Sequence, residues 1–456
     1  MKVLIFIEHD IVIRHFINSQ AFKPLAARHD VLFVFPEEGH KRVSSDIAVL
    51  DLGAPFVRLT IEQTRRKLWQ RLFQINQLRW RRGRQQAAMR KLYWQALGWK
   101  AALIYTVLGL PGIYAAYRRH ARATIAAHPY TGLEALIADE RPDVIVHPSV
   151  LEGEYINDLV EASQSHRIPL TVIMNSWDNP STKNAIVGKP DWLLVWGPQT
   201  KNHAIDFMAM EHQRVIEFGA AQFEVYRGPP TMDRAEFCRI HGIDPSAKIL
   251  LYAGSSKETD EFSHLIAIDD AIEAGRLGHV VAVYRPHPWG GGGRGGDRIV
   301  DHAWRHVRIE STMRAYLEGV SAGQTGITIP DYRHTHDVLA SVDALVSPLS
   351  TIILEAALHE KPALCFLPTD DHAARHFQMT LPLIHFEDMF RASEVLVARG
   401  TETLIPALAD LLARTDDDGY RGRLAVMAEH FVRTFERPYG ERIIEFLEAT
   451  VRDAAA

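Results

Sequence analysis

The fold is indicated by one stretch, Val346-Ser-Pro-Leu-Ser-Thr-Ile-Ile-Leu-Glu-Ala-Ala-Leu-His-Glu-Lys-Pro-Ala-Leu-Cys-Phe-Leu367. Its pattern predicts a buried strand that ends at Val346, a small polar turn, an amphipathic helix and a second buried strand. Two short apolar strands joined by a helix form a parallel βαβ unit, because parallel strands need a crossover connection. We therefore predict a doubly wound α/β sheet, covered by helices, in this half of the chain.

The turn of this unit also carries groups that suit a ligand. Ser347, Ser350 and Thr351 lie where the helix begins, and the free N–H groups and positive dipole end at that point favour a phosphate. Glu355 lies one turn further, about 6 Å along the axis at 1.5 Å per residue, where it can accept hydrogen bonds from sugar hydroxyls. The segment predicts a nucleotide-sugar site. An ordinary capped helix explains it equally well, because Ser and Thr are common N-cap residues.

Composition predicts a globular protein with two α/β domains. The chain has 456 residues, of which 47% are hydrophobic and 23% charged, and this length exceeds that of one ordinary core. The net charge of −5 implies no global attraction to nucleic acid. Two distant cysteines, Cys238 and Cys365, predict a reducing compartment without a disulfide framework. The first residues suit a strand rather than a secretion signal, so we expect a cytoplasmic protein.

Two sets of buried strands alternate with helical segments along the chain. In the first half, strands are predicted at residues 2–7, 30–35, 143–148, 169–174 and 192–196, with a last one after residue 214. In the second half, they are predicted at residues 248–253, 279–284, 325–329, 344–346 and 363–367. We predict two Rossmann-like domains, residues 1–227 and 228–456, facing a ligand cleft, with a boundary at Gly228-Pro-Pro230. A terminal helix is predicted from about residue 418 to 452.

The segment at about residues 62–132 interrupts this alternation and predicts a basic helical insertion in the first domain. Residues 63–132 contain no Asp or Glu but fourteen Lys and Arg, ten of them in Arg65–Lys91, interleaved with Trp, Leu and Phe. This composition suits the interface of an anionic membrane, so we expect a peripheral membrane contact through Arg65–Lys91. Two alternatives stay open: a purely structural insertion with a solvated basic face, or RNA binding. The acidic remainder of the chain argues against a nucleic-acid partner.

Two more loops of the second domain supply candidate donor-site residues. The first is Gly254-Ser255-Ser256-Lys257, whose small residues permit close backbone approach and whose Lys offers a charge to a phosphate. The second is Arg285-Pro-His-Pro288, in which Arg285 can clamp a phosphate and His287 can donate a hydrogen bond to it. A surface turn and a rigid proline loop are the respective alternatives.

No pattern predicts a metal or cofactor site. The nearest case is His334-x-His336 beside Asp337, which suits a solvated loop or a helix start.

Acceptor-site candidates lie in loops of the first domain. In Asn175-Ser-Trp-Asp-Asn179, Trp177 can stack on a sugar, Asp178 can act as base or bind a hydroxyl, and Asn179 adds an amide. The alternative for this loop is an Asx-turn.

Inverting sugar transfer needs a base near the acceptor hydroxyl. The candidates at other strand ends are Glu8, His9, Asp10, Glu152 and Glu154, from which we select Asp10 and Glu154 as catalytic and His9 as acceptor-binding.

With these residues assembled, the chain resembles bacterial glycosyltransferases of the two-Rossmann-domain class, commonly called GT-B. The likeness depends on three segments. Ser347 to Pro362 looks like a donor-nucleotide segment, and Tyr284-Arg-Pro-His-Pro288 is similar to the His-Pro motif of capsule, sialic-acid, Kdo and glycerophosphate transferases. The third, Asn175-Ser-Trp-Asp-Asn179 with Val195-Trp-Gly-Pro198, looks like an envelope-glycosyltransferase signature. The resemblance implies donor-phosphate contacts for Arg285, His287, Ser350 and Thr351, a ribose or sugar contact for Glu355, and a catalytic role for His287.

The resemblance also sets expectations for the reaction. It implies transfer of a sugar from a nucleotide-sugar donor to a lipid-linked or surface-glycan acceptor at the cytoplasmic face of the membrane, in cell-envelope polysaccharide biosynthesis. No Asp-x-Asp motif stands in a suitable loop, so we expect a metal-independent enzyme without a cofactor. Ser347 stands where many retaining enzymes have the first Glu of a Glu-x7-Glu signature. Alternatives are alditol-phosphate transfer or nucleotide-sugar epimerisation on this scaffold, or a non-catalytic nucleotide-sugar-binding subunit of an envelope assembly.

Overall fold

Two parallel β-sheets organise the chain, one in each of two units. The structure is a computed structural model that describes residues 1–80, 82–149, 153–255, 259–288, 296–322, 331–369 and 373–455. Unit 1 comprises Met1–Glu224, Pro382–His385 and Phe431–Ala456, and unit 2 comprises Val225–Leu381 and Phe386–His430. The predicted α/β class with two Rossmann-like sheets is confirmed.

The sheet of unit 1 has seven parallel strands in the order β3-β2-β1-β4-β5-β6-β7. In chain order they are β1 Lys2–Phe6, β2 Asp30–Pro36, β3 Phe56–Leu59, β4 Val144–Ser149, β5 Leu170–Met174, β6 Trp192–Val195 and β7 Val215–Glu217. The strand order reverses between β1 and β4, with Val3 paired to Val144. Ligands of doubly wound sheets bind beyond the carboxyl ends of the strands at such a reversal.

The sheet of unit 2 repeats this topology with six parallel strands in the order β10-β9-β8-β11-β12-β13. In chain order they are β8 Lys248–Ala253, β9 Val280–Arg285, β10 Val307–Ile309, β11 Ala344–Pro348, β12 Ala363–Leu367 and β13 Val395–Arg399. Its reversal lies between β8 and β11, where Leu345 pairs with Leu251. The strand predicted at residues 325–329 lies outside the described residues.

Helices connect the strands throughout. In chain order they are α1 Asp10–Val12, α2 Lys23–Arg28, α3 Gln63–Leu78, α4 Arg84–Leu97, α5 Trp99–Leu108, α6 Pro111–Ala127, α7 Thr131–Glu140, α8 Ile156–His166, α9 Asn179–Thr182, α10 Pro198–Met208, α11 Arg234–His241, α12 Glu261–Glu273, α13 Gly296–Asp301, α14 Ser311–Ser321, α15 Tyr332–Ser341, α16 Ile352–Leu358, α17 Ala373–Thr380, α18 Ile384–Arg391, α19 Thr401–Ala413, α20 Asp418–Phe431 and α21 Tyr439–Ala455. A π-helix spans Ile13–Ile17, and 3-10 helices span Ile47–Val49, His212–Arg214 and Ala221–Arg227.

The end of the chain differs from the single terminal helix that the sequence predicted in the second domain. There are two helices, α20 and α21, separated by residues 432–438, and Pro438 just before α21 would break a single continuous helix. Helix α21 belongs to unit 1, because Ile443 and Leu447 join the same buried core as Val3 and Phe33.

Four helices, α3 to α6, lie between β3 and α7. Helix α3 buries Trp69, Leu72 and Ile75 against α6. Arg65 is buried as well, and its guanidinium donates to the Asp158 carboxylate and to two backbone carbonyls. Arg65 therefore points into unit 1 and does not face a membrane surface as the sequence suggested. Its burial is stable because the guanidinium is paired with a carboxylate. Within the described ranges, no helix is both long enough and apolar enough to cross a bilayer.

Leu447→Ala tests the assignment of α21 to the core of unit 1. Leu447 is fully buried, so we expect a loss of about 2–5 kcal/mol in the free energy of unfolding, measured by urea denaturation. The control is Arg452→Ala on the same helix, whose side chain is exposed and which should change stability by less than about 0.5 kcal/mol. Equal effects of the two substitutions would contradict the assignment.

Candidate functional site

The junction of β11 and α16 in unit 2 contains a buried hydroxyl without a hydrogen-bond partner among the described residues. Ser347 is fully buried in β11, and its Oγ has no hydrogen-bond partner among the described residues. Thr351 begins α16 without a side-chain cap hydrogen bond. Buried hydroxyls normally have hydrogen-bond partners, so the lack of one for Ser347 differs from an ordinary capped βαβ unit. The arrangement can accept an anion.

Glu355 lies one turn into α16 and is oriented by a cluster that the sequence did not reveal. The Tyr226 hydroxyl donates to the Glu355 carboxylate at 2.5 Å. The Tyr226 ring packs on the imidazoles of His336 and His359, with centroids at 5.4 and 4.5 Å. His336 Nδ1 lies 2.8 Å from His359 Nε2, and burial lowers the pKa of His359 to about 4. His336 stands near a helix start, as expected, but it is buried rather than solvated.

Arg285 ends β9 and is held in place by two neighbours. Its guanidinium donates to Thr335 Oγ1 at 3.0 Å, and it is largely buried. Its charge also acts on Glu310, a fully buried residue just before α14. Burial alone would raise the pKa of Glu310, but the hydrogen bond from His334 and the charge of Arg285 outweigh it and lower the pKa to about 2. Arg285 is therefore pre-positioned next to a carboxylate that stays ionised.

Helix α15 links these two clusters, because Thr335 contacts Arg285 and the adjacent His336 contacts His359. His287, two residues after Arg285, is partly exposed on the loop that follows β9. The predicted Arg285 thus contacts α15 directly through Thr335, and the predicted Glu355 is connected to His336 of α15 through Tyr226. Ser350 and Thr351 are partly exposed at the start of α16.

The loop after β8 binds a protein carboxylate in the structure. The Ser255 N–H donates to Glu261 Oε1 at 2.6 Å, and the Tyr284 hydroxyl donates to Oε2 at 2.5 Å. Burial raises the pKa of Glu261 to about 7, although these hydrogen bonds oppose the shift. The N–H of Ser255 is thus already engaged by Glu261, in contrast to its predicted role toward a donor phosphate. Ser256 and Lys257 lie outside the described residues.

In unit 1, two of the predicted residues stabilise loops. Both carboxylate oxygens of Asp10 accept hydrogen bonds from the N–H and hydroxyl groups of Ser44 and Ser45. Burial alone would raise the pKa of Asp10, but these bonds outweigh it and lower the pKa. His9 is the N-cap of α1, and its Nδ1 accepts the N–H of Ile11. A saturated carboxylate of low pKa is a poor base, which argues against the catalytic role predicted for Asp10.

The Trp177-Asp178-Asn179 loop is also tightly packed. Trp177 is buried, with its ring edge-to-face against His385 and Phe431, so it offers no open face to a sugar. Burial would raise the pKa of Asp178, but the Lys183 ammonium at 3.0 Å and other hydrogen bonds outweigh it and lower the pKa. Asn179 is fully buried and accepts from the Asn175 N–H. The geometry matches the structural alternative for this loop better than an acceptor site.

A buried pair, Glu8 and His147, occupies the strand reversal of unit 1. His147 Nε2 lies 3.3 Å from Glu8 Oε2, and neither ring nitrogen makes a hydrogen bond with a described residue. Glu8 accepts the N–H groups of Glu154 and Tyr155 just before α8. Burial alone would raise the pKa of Glu8, but His147 and the N–H donors outweigh it and lower the pKa. His147 was missed because a histidine inside an apolar strand gives no sequence signal of function.

Next to this pair lies a cavity of about 190 Å³. Its lining combines polar and aromatic side chains: Arg42, Arg66, Glu154, Asn157, Gln70, Gln74, Gly153, Ala185, Trp69, Phe73 and Tyr93. Glu154, selected as a catalytic candidate, is buried and paired with the guanidinium groups of Arg66 and Arg42. It therefore fixes two arginines in the cavity wall. Glu152 lies outside the described residues.

In the part of the chain that the structure describes, no group of three or more His, Cys, Asp or Glu side chains is placed to hold a metal ion.

Comparison with known proteins supports the fold. No family model and no curated protein matches the chain. Among solved structures, the UDP-GlcNAc 2-epimerase of Neisseria meningitidis bound to UDP-GlcNAc is 12% identical with a TM-score of 0.51, over 98% of this chain and 100% of that one. Staphylococcus aureus MnaA with UDP is 12% identical with a TM-score of 0.50, over 99% and 97%. The wall teichoic acid polymerase TagF is 10% identical with a TM-score of 0.50, over 99% and 89%. At these identities the likeness establishes the GT-B type of fold alone.

Gly153→Ala tests the packing around Glu8 and His147. An added Cβ would lie 2.1 Å from Glu8 Oε1 and 2.8 Å from His147 Cε1, so the pair or the loop must shift. We expect a loss of about 1–3 kcal/mol in the free energy of unfolding, measured by urea denaturation. Gly422→Ala is the control, because nothing lies within 4 Å of its added Cβ and Ala favours a helix. Unchanged stability of the Gly153 variant would contradict the packing.

Glu261→Gln tests the raised pKa of Glu261. Between its ordinary pKa of 4.5 and about 7, the folded state holds a proton that the unfolded state has released. The stability of the wild type therefore falls as the pH rises through this window, whereas Gln does not titrate. From pH 5 to pH 8 we expect the variant to gain roughly 1–3 kcal/mol relative to the wild type in urea denaturation. A difference that does not vary with pH would exclude the shift.

Proposed function

We propose that the protein is an enzyme that acts on a nucleotide sugar, with its donor site at the β11–α16 junction. In this proposal it is a metal-independent glycosyltransferase that moves the sugar to a lipid-linked or surface-glycan acceptor of the cell envelope. Such an acceptor places the enzyme at the inner face of the cytoplasmic membrane.

The observation that supports the donor site most directly is the unpartnered Ser347 hydroxyl beside a helix start without a side-chain cap. A donor phosphate would accept hydrogen bonds from the N–H groups at Thr351 and from this hydroxyl. Glu355, oriented by Tyr226, would accept hydrogen bonds from ribose or sugar hydroxyls one turn away. The site lies at the strand reversal between β8 and β11, where ligands of doubly wound sheets bind.

The chemistry follows from charge development on the donor. As the sugar leaves, negative charge grows on the departing phosphate, and the α16 N-terminus and Arg285 are the fixed positive groups for it. Because Arg285 is already oriented by Thr335, little reorganisation is needed at the moment of reaction. His287, on the adjacent loop, keeps its proposed role as a donor-phosphate contact.

For the acceptor we propose the cavity of unit 1. Its aromatic side chains, Trp69, Phe73 and Tyr93, can pack on a sugar ring, and its two arginines can hold an anionic group of the acceptor. Next to this cavity, the buried Glu8–His147 pair supports Gly153 and Glu154 in the cavity wall.

A nucleotide-sugar 2-epimerase is the second candidate. Two of the fold neighbours were solved with UDP or UDP-GlcNAc, and one of them is named a UDP-GlcNAc 2-epimerase. An epimerase converts its nucleotide sugar without an acceptor, whereas a transferase requires one. Incubation of UDP-GlcNAc with the protein alone, followed by NMR, separates the two activities.

Nucleotide binding tests the donor site. In thermal-shift assays with UDP, CMP, CDP and GDP, a nucleotide at about 100 times its Kd should add about 2.7 kcal/mol of stability. We expect one nucleotide to bind, and Glu355→Gln to weaken its affinity about tenfold through loss of a charged hydrogen-bond acceptor. The matched control is Glu273→Gln, an exposed residue that pairs with His306 before β10.

Two outcomes would contradict this proposal: no shift with any nucleotide, or equal weakening by Glu355→Gln and Glu273→Gln. Nucleotide binding without hydrolysis, transfer or epimerisation of any nucleotide sugar would instead indicate the non-catalytic subunit. Activity that is lost in EDTA and restored by a divalent cation would overturn metal independence.

A further inference from the structure

Helix α5 presents an apolar face to solvent. Lys100 is its one charged residue, and Ala102 is its one buried residue. Trp99, Leu103 and Val107 recur every four residues and therefore share one face, with exposed fractions of 65%, 50% and 47%. A helix that is apolar on all sides is normally buried in a core or a membrane. Its exposure in unit 1 therefore needs a partner.

The apolar surface extends beyond α5 on both sides. We call it the α5 face, which consists of Trp94, Trp99, Leu103, Ile104, Val107, Leu110 and Ile113. Among the described residues, seven of the twelve exposed large apolar side chains belong to it. The other five are scattered, as is normal for single surface residues. The α5 face is thus a concentrated patch within twenty residues of sequence.

The charges around the α5 face are basic and uncompensated. Residues 63–132 include no Asp or Glu. In residues 63–132, the exposed cations that form no ion pair with any described residue are Lys67, Arg71, Arg82, Lys91, Lys100, Arg118 and Arg119. By contrast, the inward-facing Arg65 and Arg66 are neutralised by acids of the unit. Positive charge therefore stays exposed in the segment that carries the apolar patch.

We propose that the α5 face docks in the headgroup region of an anionic lipid bilayer, with α5 parallel to the surface. At 1.5 Å per residue, ten residues span about 15 Å, half of a hydrocarbon core of about 30 Å, so α5 lies on a membrane rather than across it. Tryptophan prefers this interface, and Lys100, stacked on Trp99 at 5.5 Å, can extend to the lipid phosphates. This assignment moves the contact from Arg65–Lys91 to α5, because α3 turns its apolar side chains inward.

A second copy of the chain is the competing occupant of the α5 face. In a twofold dimer the same patch would meet itself, so each basic rim would face another basic rim. Like charges across an interface are unfavourable, whereas anionic headgroups are complementary to them. The charge pattern therefore favours lipid.

Vesicle flotation of the full chain tests this inference. We expect binding to phosphatidylcholine vesicles that contain 30% phosphatidylglycerol, at least tenfold weaker binding to phosphatidylcholine alone, and weakening by 0.5 M NaCl. The double variant Leu103→Ser, Val107→Ser should bind at least tenfold more weakly, because two apolar side chains no longer insert. The control is Val49→Ser, which removes an apolar side chain that is 77% exposed elsewhere in unit 1. Circular dichroism confirms folding of each variant.

Two vesicle results would overturn the inference: no binding to either vesicle, or equal binding by the double variant and the wild type. A third would be a wild-type dimer in sedimentation velocity that is absent from the double variant, together with no vesicle binding by either protein. The inference does not depend on the nucleotide-sugar activity. Nucleotide thermal shifts should be the same in the double variant and in the wild type, so failure of one proposal is distinguishable from failure of the other.

Discussion

The structure depends on one constraint, namely that a parallel sheet has to be covered by apolar side chains on both faces. In unit 1 this cover includes α21, which brings Ile443 and Leu447 from the end of the chain onto the core that β1 and β2 form. Once both faces are closed, most charged side chains lie beyond the ends of the strands. The candidate sites of both units therefore lie at the carboxyl ends of parallel strands, at the two places where strand order reverses.

At these ends most charges neutralise one another, because a buried charge is stable only with a partner. Asp10 is saturated by two serines, and Glu310 by His334 and the start of α14. Asp10 drew a catalytic interpretation, yet its contacts are structural. Ser347 differs, since its hydroxyl is buried without a partner among the described residues.

The sequence predicted the central strands well, because continuous apolar runs such as Val144-Ile-Val146 occur where both faces of a strand are buried. It missed the edge strands β3, β10 and β13, which have three to five residues and contain exposed or partly exposed arginines. The sequence also predicted Arg285 and Glu355 as site residues, and in the structure Thr335 and Tyr226 orient their side chains. It did not predict Tyr226 or His147, because their roles arise from partners 129 residues and more than a hundred residues away in sequence. Contacts over such separations leave no local pattern.

The basic segment shows why composition alone could not locate a surface. Helices α3 and α5 both carry Trp and Leu, and α3 carries far more positive charge, which drew the membrane interpretation to Arg65–Lys91. Yet α3 buries Trp69 and Leu72, and acids of the unit bind Arg65. Helix α5 has one charged residue and leaves Trp99, Leu103, Ile104 and Val107 exposed. The exposed apolar area decides which helix needs a partner, and the unpaired cations around it decide the chemistry of that partner.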